Sequence, residues 1–232
     1  MSLFHPMNLT CPNCEATITF EAVGSVNADR RPDFREAILD DSFQNVTCKR
    51  CTQSFRLQPE FNYLDVGNGL WLSSMPAEKL LDYLEIEDAT VKLFDASYGA
   101  NAPKAAQDVG NDLAVRLTFG WPAVREKLLA RVNGLDDVVL ELAKLDILRR
   151  VPEAPLSVGV ELRLVHVEED TLVFIWVRTD TEETLQELAV ARALYDSIAD
   201  NPDGWAAVRA QITNGPFVDM QKLYLGEGRI AS

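Results

Sequence analysis

Four cysteines constrain this chain more than any other residues do. Cys11 and Cys14 lie in Thr-Cys-Pro-Asn-Cys, and Cys48 and Cys51 lie in Thr-Cys-Lys-Arg-Cys. They are the only cysteines among 232 residues, and both pairs have C-x-x-C spacing. Such a turn holds two sulfurs close enough to bind one ion, and two turns supply four thiolates at tetrahedral geometry. The spacing therefore predicts a closed four-cysteine site for structural zinc, because softer redox clusters use other spacings. A redox-active dithiol is the alternative, and unrelated buried cysteines are a third reading. Lys49 and Arg50 beside the second pair favour thiolates in either case. The loop between the pairs holds 33 residues, against roughly 15–20 in the common pattern. That excess is tolerable because loop-closure entropy grows only logarithmically with length. Ribbon turns often place glycine after the second cysteine, where the backbone needs left-handed geometry. Here Glu15 and Thr52 stand at those positions, and Glu15 is expected to point outward rather than to ligate.

Composition bounds the rest. Apolar residues make up 47% and charged residues 25%, as in ordinary globular proteins. No apolar run approaches the roughly 20 residues that span a bilayer, and the N-terminus lacks a secretory pattern. A cytoplasmic setting is expected, where thiols stay reduced and a metal site is favoured over disulfides. The net charge of −14 is uneven. Cys11 to Pro59 holds six basic and seven acidic residues, whereas Val151 to Ser232 holds six basic and fourteen acidic. Nucleic-acid binding needs positive charge to displace phosphate counterions, so it is not the expected activity.

Along the chain, residues 1–10 read as a short lead-in. Ala16 to Val23 alternates as a strand with Ile18, Phe20 and Ala22 on one face. Pro32 opens a helix carrying Phe34, Ile38 and Leu39. Val46-Thr-Cys returns to the second cysteine turn and Ser54-Phe-Arg-Leu leaves it as a strand. Phe61 to Leu72 reads as a hairpin about Gly67-Asn68-Gly69. Pro76 is expected to open a helix that buries Leu80, Leu81 and Leu84. The stretch from Thr90 to Ala114 has no clear period.

A helix follows from Pro122, with Val124, Leu128, Leu129 and Val132 sharing a face, and Asn133-Gly134 ends it. Asp136-Asp137 starts the next helix, which carries Val138, Val139, Leu142, Leu145 and Leu148. Val151-Pro-Glu-Ala-Pro is the best linker. Beyond it the period becomes two: Val160, Leu162, Leu164 and His166, then Leu172, Phe174 and Trp176, then Thr184 to Val190, an antiparallel meander. Helices follow from Arg192 and Asp203, with a last short element at Met220 to Leu225.

Other constellations carry less. Only His5 and His166 are present, and no zinc-hydrolase or deaminase pattern is formed. His166 is expected to be a core or edge histidine. Gly67-Asn-Gly69 and Gly226-Glu-Gly228 are too short for phosphate loops, and there is no nucleophile elbow. Asp136-Asp137 and Glu168-Glu169-Asp170 read as a helix start and a solvated turn. Trp71, Trp121, Trp176 and Trp205 are scattered and read as core rather than as a stacking platform.

Thr-Cys-Pro-Asn-Cys, the helix Pro32-Asp-Phe-Arg-Glu-Ala-Ile-Leu-Asp-Asp-Ser-Phe, Val46-Thr-Cys-Lys-Arg-Cys and the hairpin to Pro76 together resemble the CpXC domain. This is a bacterial and archaeal module named for its two cysteine pairs. Val115-Arg-Leu-Thr-Phe-Gly, the Val124–Val132 helix and Gly134-Leu-Asp-Asp also resemble it, so the likeness covers about residues 1–150. The second pair lacks the proline of the first, which leaves the ligand roles intact. The resemblance implies zinc binding and a bacterial cytoplasmic setting, and implies no activity. The expected fold is α+β: an N-terminal zinc-ribbon-like β domain with inserted helix and hairpin, a helical middle segment, and a C-terminal antiparallel meander with helices. The division expected is 1–150 and 155–232. The expected function is a non-enzymatic zinc-stabilised adaptor whose partner is another protein. The alternatives are a nucleic-acid- or polymerase-associated ribbon regulator and a thiol-redox protein. Cys11, Cys14, Cys48 and Cys51 are the expected ligands.

Overall fold

A computed structural model describes residues 2–151, 157 and 159–226. It is an α+β fold. A five-stranded sheet is built from β1 (Leu3–Thr10), β2 (Thr17–Asn27), β5 (Phe61–Asp65), β6 (Leu70–Met75) and β7 (Ala114–Phe119), in the order β1-β2-β5-β6-β7. The β1–β2 and β5–β6 pairs are antiparallel, and the β2–β5 and β6–β7 pairs are parallel. Parallel neighbours need long crossovers. The first passes through α1 (Pro32–Leu39) and the small ladder of β3 (Asn45–Thr47) and β4 (Ser54–Arg56). The second passes through a 3-10 turn at Ala77–Asp82, α2 (Tyr83–Tyr98) and α3 (Lys104–Gly110).

Residues 3–10 are therefore not a lead-in but the edge strand of this sheet. Leu3 and Phe4 stay exposed there, and Pro6 falls on the edge, where a missing N–H costs no ladder bond. The helix after Pro76 also departs from expectation. Residues 77–82 wind as a 3-10 helix of three residues per turn, so the α-helical phase starts only at Tyr83. Tyr83, Glu87 and Thr90 are buried, whereas Leu81 and Leu84 face out.

The second half begins with α4 (Trp121–Val132) and α5 (Asp137–Arg150), joined by a turn in which Gly134 takes a φ of +65°. Asp136 caps α5, its carboxylate accepting from the Val138 amide at 2.8 Å. The meander is β8 (Val160–Val167), β9 (Thr171–Arg178) and β10 (Thr184–Ala191), antiparallel throughout. It is followed by α6 (Arg192–Ala199), α7 (Ala206–Ile212) and α8 (Lys222–Leu225). The linker residues 152–156, and Glu227-Gly228 at the tail, lie outside the described residues.

One apolar core joins α5 (Val138, Leu142, Ile147) to the meander (Leu162, Phe174, Trp176) and to Ile198 and Ile212. A second lies under the five-stranded sheet, where Ile38, Phe43, Phe61, Tyr63, Leu72 and Trp121 meet Val124 and Leu128. Helix α4 belongs to both, with Ala130 in the first and Leu128 in the second. Val132, expected on the buried face, is exposed at the last turn.

Between these cores lies a buried ion network that the sequence reading did not anticipate. Glu126, Lys127, Asp137, Glu141, Lys144, Glu161, Arg163 and Asp219 are all buried. Lys144 Nζ sits 2.8 Å from both Glu126 and Glu141. Lys127 bridges Glu141 and Asp137 at 3.0 and 3.2 Å, and Arg163 binds Glu126, Glu161 and Asp219. The Leu164 amide donates to the second oxygen of Glu126, and the Met220 amide donates to the Glu141 oxygen that also faces Lys144. Buried charges persist only when paired and hydrogen-bonded in this way.

Candidate metal centre

Both cysteine pairs sit at the tips of antiparallel hairpins. Cys11 and Cys14 lie between β1 and β2, and Cys48 and Cys51 between β3 and β4. The two tips are built alike. The Cys11 amide donates to the Ala16 carbonyl at 2.9 Å and the Glu15 amide to the Cys11 carbonyl at 3.0 Å. At the second tip the Cys48 amide reaches Gln53 and the Thr52 amide reaches Cys48, both at 2.8 Å. Glu15 and Thr52 adopt φ values of 58° and 63°, the left-handed geometry expected of these positions. For a residue with a Cβ this costs on the order of 1–3 kcal/mol, a strain held by surrounding structure and concentrated where a site requires it. That two non-glycine residues take it at matching places ties the strain to the turns themselves.

The hairpins meet tip to tip. Cys11 Sγ lies 3.6 Å from Cys51 Sγ, and Cys14 Sγ lies 3.7 Å from Cys48 Sγ. All four sulfurs fall within 4.8 Å of one another. A disulfide would need about 2.05 Å, and the four are free thiols. A tetrahedral ion bound by thiolates at about 2.3 Å sets its sulfurs about 3.8 Å apart, so the quartet has the dimensions of a four-thiolate metal site. Cys11 and Cys48 are buried and Cys14 and Cys51 half-buried.

The donors around the sulfurs favour ionised thiols at the second pair. The Asn13 side chain and the Gln53 amide pull the Cys51 thiol down to about 6. Amides of Cys51 and Arg50 lower Cys48. For Cys14 the Ala16 amide pulls down, but burial and the three neighbouring sulfurs outweigh it and push the thiol up to about 12.

No histidine or carboxylate joins the group among the described residues. Glu15 stays outside it, as expected. His166 belongs to neither core: a bulge between Leu164 and His166 turns it off the buried face of the edge strand β8, and its side chain is 64% exposed, 3.9 Å from Glu168. Of the tryptophans, Trp71, Trp121 and Trp176 are buried, in separate places.

The CpXC protein family model matches residues 9–144, more than half of the chain. The chain belongs to the CpXC family. The match begins just before the first cysteine pair and ends within α5. No curated protein and no solved structure matches the chain.

What the sequence reading missed is the ion network, although a signal was present. In α5 apolar residues occupy 138, 139, 140, 142, 143, 145, 147 and 148, which covers every side of the helix. A helix apolar all round is a buried helix, so Glu141 and Lys144 within it had to be buried too.

Proposed function

We propose that this CpXC protein is a non-enzymatic adaptor whose four cysteines hold one structural zinc and whose surface binds another protein. The observation that carries the metal reading is the closed set of four thiols, with sulfur separations of 3.6 and 3.7 Å and no further ligand beside them among the described residues. A catalytic zinc keeps one position open for water and is usually held partly by histidine or carboxylate. This quartet leaves no such position.

The adaptor reading draws support from an outward apolar stripe. Leu81, Leu84 and Val91 are 48%, 41% and 41% exposed. The spacing of Leu84 and Val91 places them on one face of α2. The nucleic-acid alternative needs Arg30, Arg31, Lys49, Arg50 and Arg56 to act together. Arg31 is instead paired with Asp33 and Arg56 with Asp41 and Glu182, which removes two of the five.

Metal analysis of the purified chain should return one zinc per chain. An affinity pulldown with zinc retained should recover a protein partner that Leu84→Glu together with Val91→Asp releases. Metal-independent turnover in the purified protein, or no partner recovered while zinc is bound, overturns the adaptor reading. Cys-to-Ser variants that keep the fold but lose a thiol-exchange activity would establish the redox alternative instead.

A further inference from the structure

Away from the cysteines, an open depression of about 620 Å³ lies where the turn between β5 and β6 meets the α4–α5 turn and α7. Three arginines line it: Arg116 from β7, Arg131 from the end of α4 and Arg209 from α7. In a chain of net charge −14 this concentration of guanidinium groups stands out, and a single acid, Asp136, lines the depression with them.

The arginines are held from below. Asp137, fully buried, takes two bonds from Arg116 at 2.6 and 2.9 Å and one from Arg131 at 3.0 Å. That fixes both guanidinium planes, and Arg116 Nη1 in addition donates to the Val115 carbonyl at 2.9 Å. Arg131 Nε is buried and has no hydrogen-bond partner among the described residues, so it is the outer end of that guanidinium that can face the depression, and Arg209 donates to Asp136 at 3.3 Å. Asp136 is itself committed to the Val138 amide as the cap of α5. Two further acids stand behind the Gly67-Asn68 rim, and both are engaged. Asp65 binds Arg35, and Asp29 accepts from the amides of Val66 and Gly67.

We propose that this depression binds a doubly charged oxyanion, a phosphoryl group or a paired carboxylate, between Arg131 and Arg209 with Arg116 beside them. Planar guanidinium forks match the oxygens of both classes. The start of α5, a fourteen-residue helix, adds a favourable dipole. The site shares no residue with the cysteine quartet, so it stands or falls separately from the metal reading.

The probes are inorganic phosphate and succinate, titrated calorimetrically into the full-length chain at constant ionic strength set with sodium chloride. Saturable one-to-one binding is expected for at least one of them. Phosphate alone assigns the phosphoryl class, and succinate alone or equally assigns the carboxylate class. Arg209→Ala, at a half-exposed side chain, should weaken binding about tenfold or more, the worth of one charged hydrogen bond, and leave the thermal midpoint unchanged. Asp136→Asn keeps a good helix cap but removes the competing charge, and should tighten binding. No saturable heat with either probe, or binding that Arg209→Ala leaves intact, overturns the proposal and leaves the arginines a purely structural role.

Discussion

Lys144→Met tests whether the buried charges are energetically coupled. The ammonium of Lys144 is wholly buried and lies 2.8 Å from Glu126 and 2.8 Å from Glu141. Methionine keeps most of the side-chain volume, so the change removes charge more than packing. Five carboxylates (Glu126, Asp137, Glu141, Glu161, Asp219) would then face four cations (Arg116, Lys127, Arg131, Arg163) in place of five. Removing one partner of a buried pair costs about 3–5 kcal/mol, because the other charge is left uncompensated. At roughly 2–4 °C per kcal/mol for a chain of this size, the thermal midpoint should fall by about 6–20 °C, read by circular dichroism.

Two controls separate charge from packing. Burial already pushes the Glu141 carboxyl above its usual range, against the pull of Lys127 and Lys144, and losing Lys144 raises it further. A group whose folded pKa is raised binds its proton more tightly in the folded state, so stability rises as pH falls through that window. The deficit of the variant should therefore shrink between pH 8 and pH 5. Adding Glu141→Gln, which restores four against four, should recover at least half of it. A fall below about 1 kcal/mol at pH 8, or a deficit that does not change with pH, refutes the coupling.

Further outcomes follow from the same structure. Cys11→Ser, or chelation of the wild type, should abolish metal binding and the strand signal of the N-terminal hairpins, because metal affinity is also folding energy there; a chelated protein with an unchanged spectrum would contradict this. Arg56→Ala removes a guanidinium 4.6 Å above the Trp121 ring and its pairs with Asp41 and Glu182. It should cost about 1–2 kcal/mol and alter Trp121 fluorescence, with an unaltered emission spectrum as the contrary result. Burial opposes ionisation of Asp137 and Asp219, yet Lys127 with Arg116 and Arg131 in one case, and Arg163 with Lys144 and Lys127 in the other, hold both below the usual carboxylate range. Depressed folded pKa values give stability that is present above the unfolded value of about 3.8 and is lost as pH falls below it, so acid melts should show the midpoint dropping from about pH 5 downward. A fragment of residues 1–150 should bind a dye for exposed apolar surface and melt without a cooperative transition, and a sharp transition would show it to be self-sufficient.

The cysteine centre was legible because its chemistry is local. Two identical spacings pick out the four sulfurs that the structure brings together, and the place of the strained residues follows from the geometry of the turn, which is why Glu15 and Thr52 could be singled out without a fold. The hairpin, the meander and the α4–α5 pair were legible through period and turn residues. What failed depended on phase or on partners far along the chain. A buried face for Leu81 and Leu84 presumes one continuous helix, and the 3-10 turn at 77–82 shifts that phase. Residues 3–10 give no strand signal because an edge strand with Pro6 lacks a clean alternation, and only its pairing with β2 makes it a strand. His166 does stand on the edge strand β8, as expected, but a bulge takes it off the face that the alternation assigns it with Leu162 and Leu164.

The ion network bears on where this protein can be divided. The family match stops at residue 144, and the cations and acids of the network fall on both sides of that point. Up to it lie Arg116, Lys127, Arg131 and Lys144 with Glu126, Asp137 and Glu141, one positive charge in excess. After it lie Arg163 with Glu161 and Asp219, one negative charge in excess. Neither part is neutral, and only together do the charges balance. The pairing is also physical: Arg163 Nη1 lies 3.0 Å from Glu126, and the Val218 carbonyl accepts from Lys127 at 2.7 Å. A buried unit charge without its counterion is far more expensive than an exposed apolar face. The meander and the 216–221 segment therefore complete the core that α4 and α5 begin.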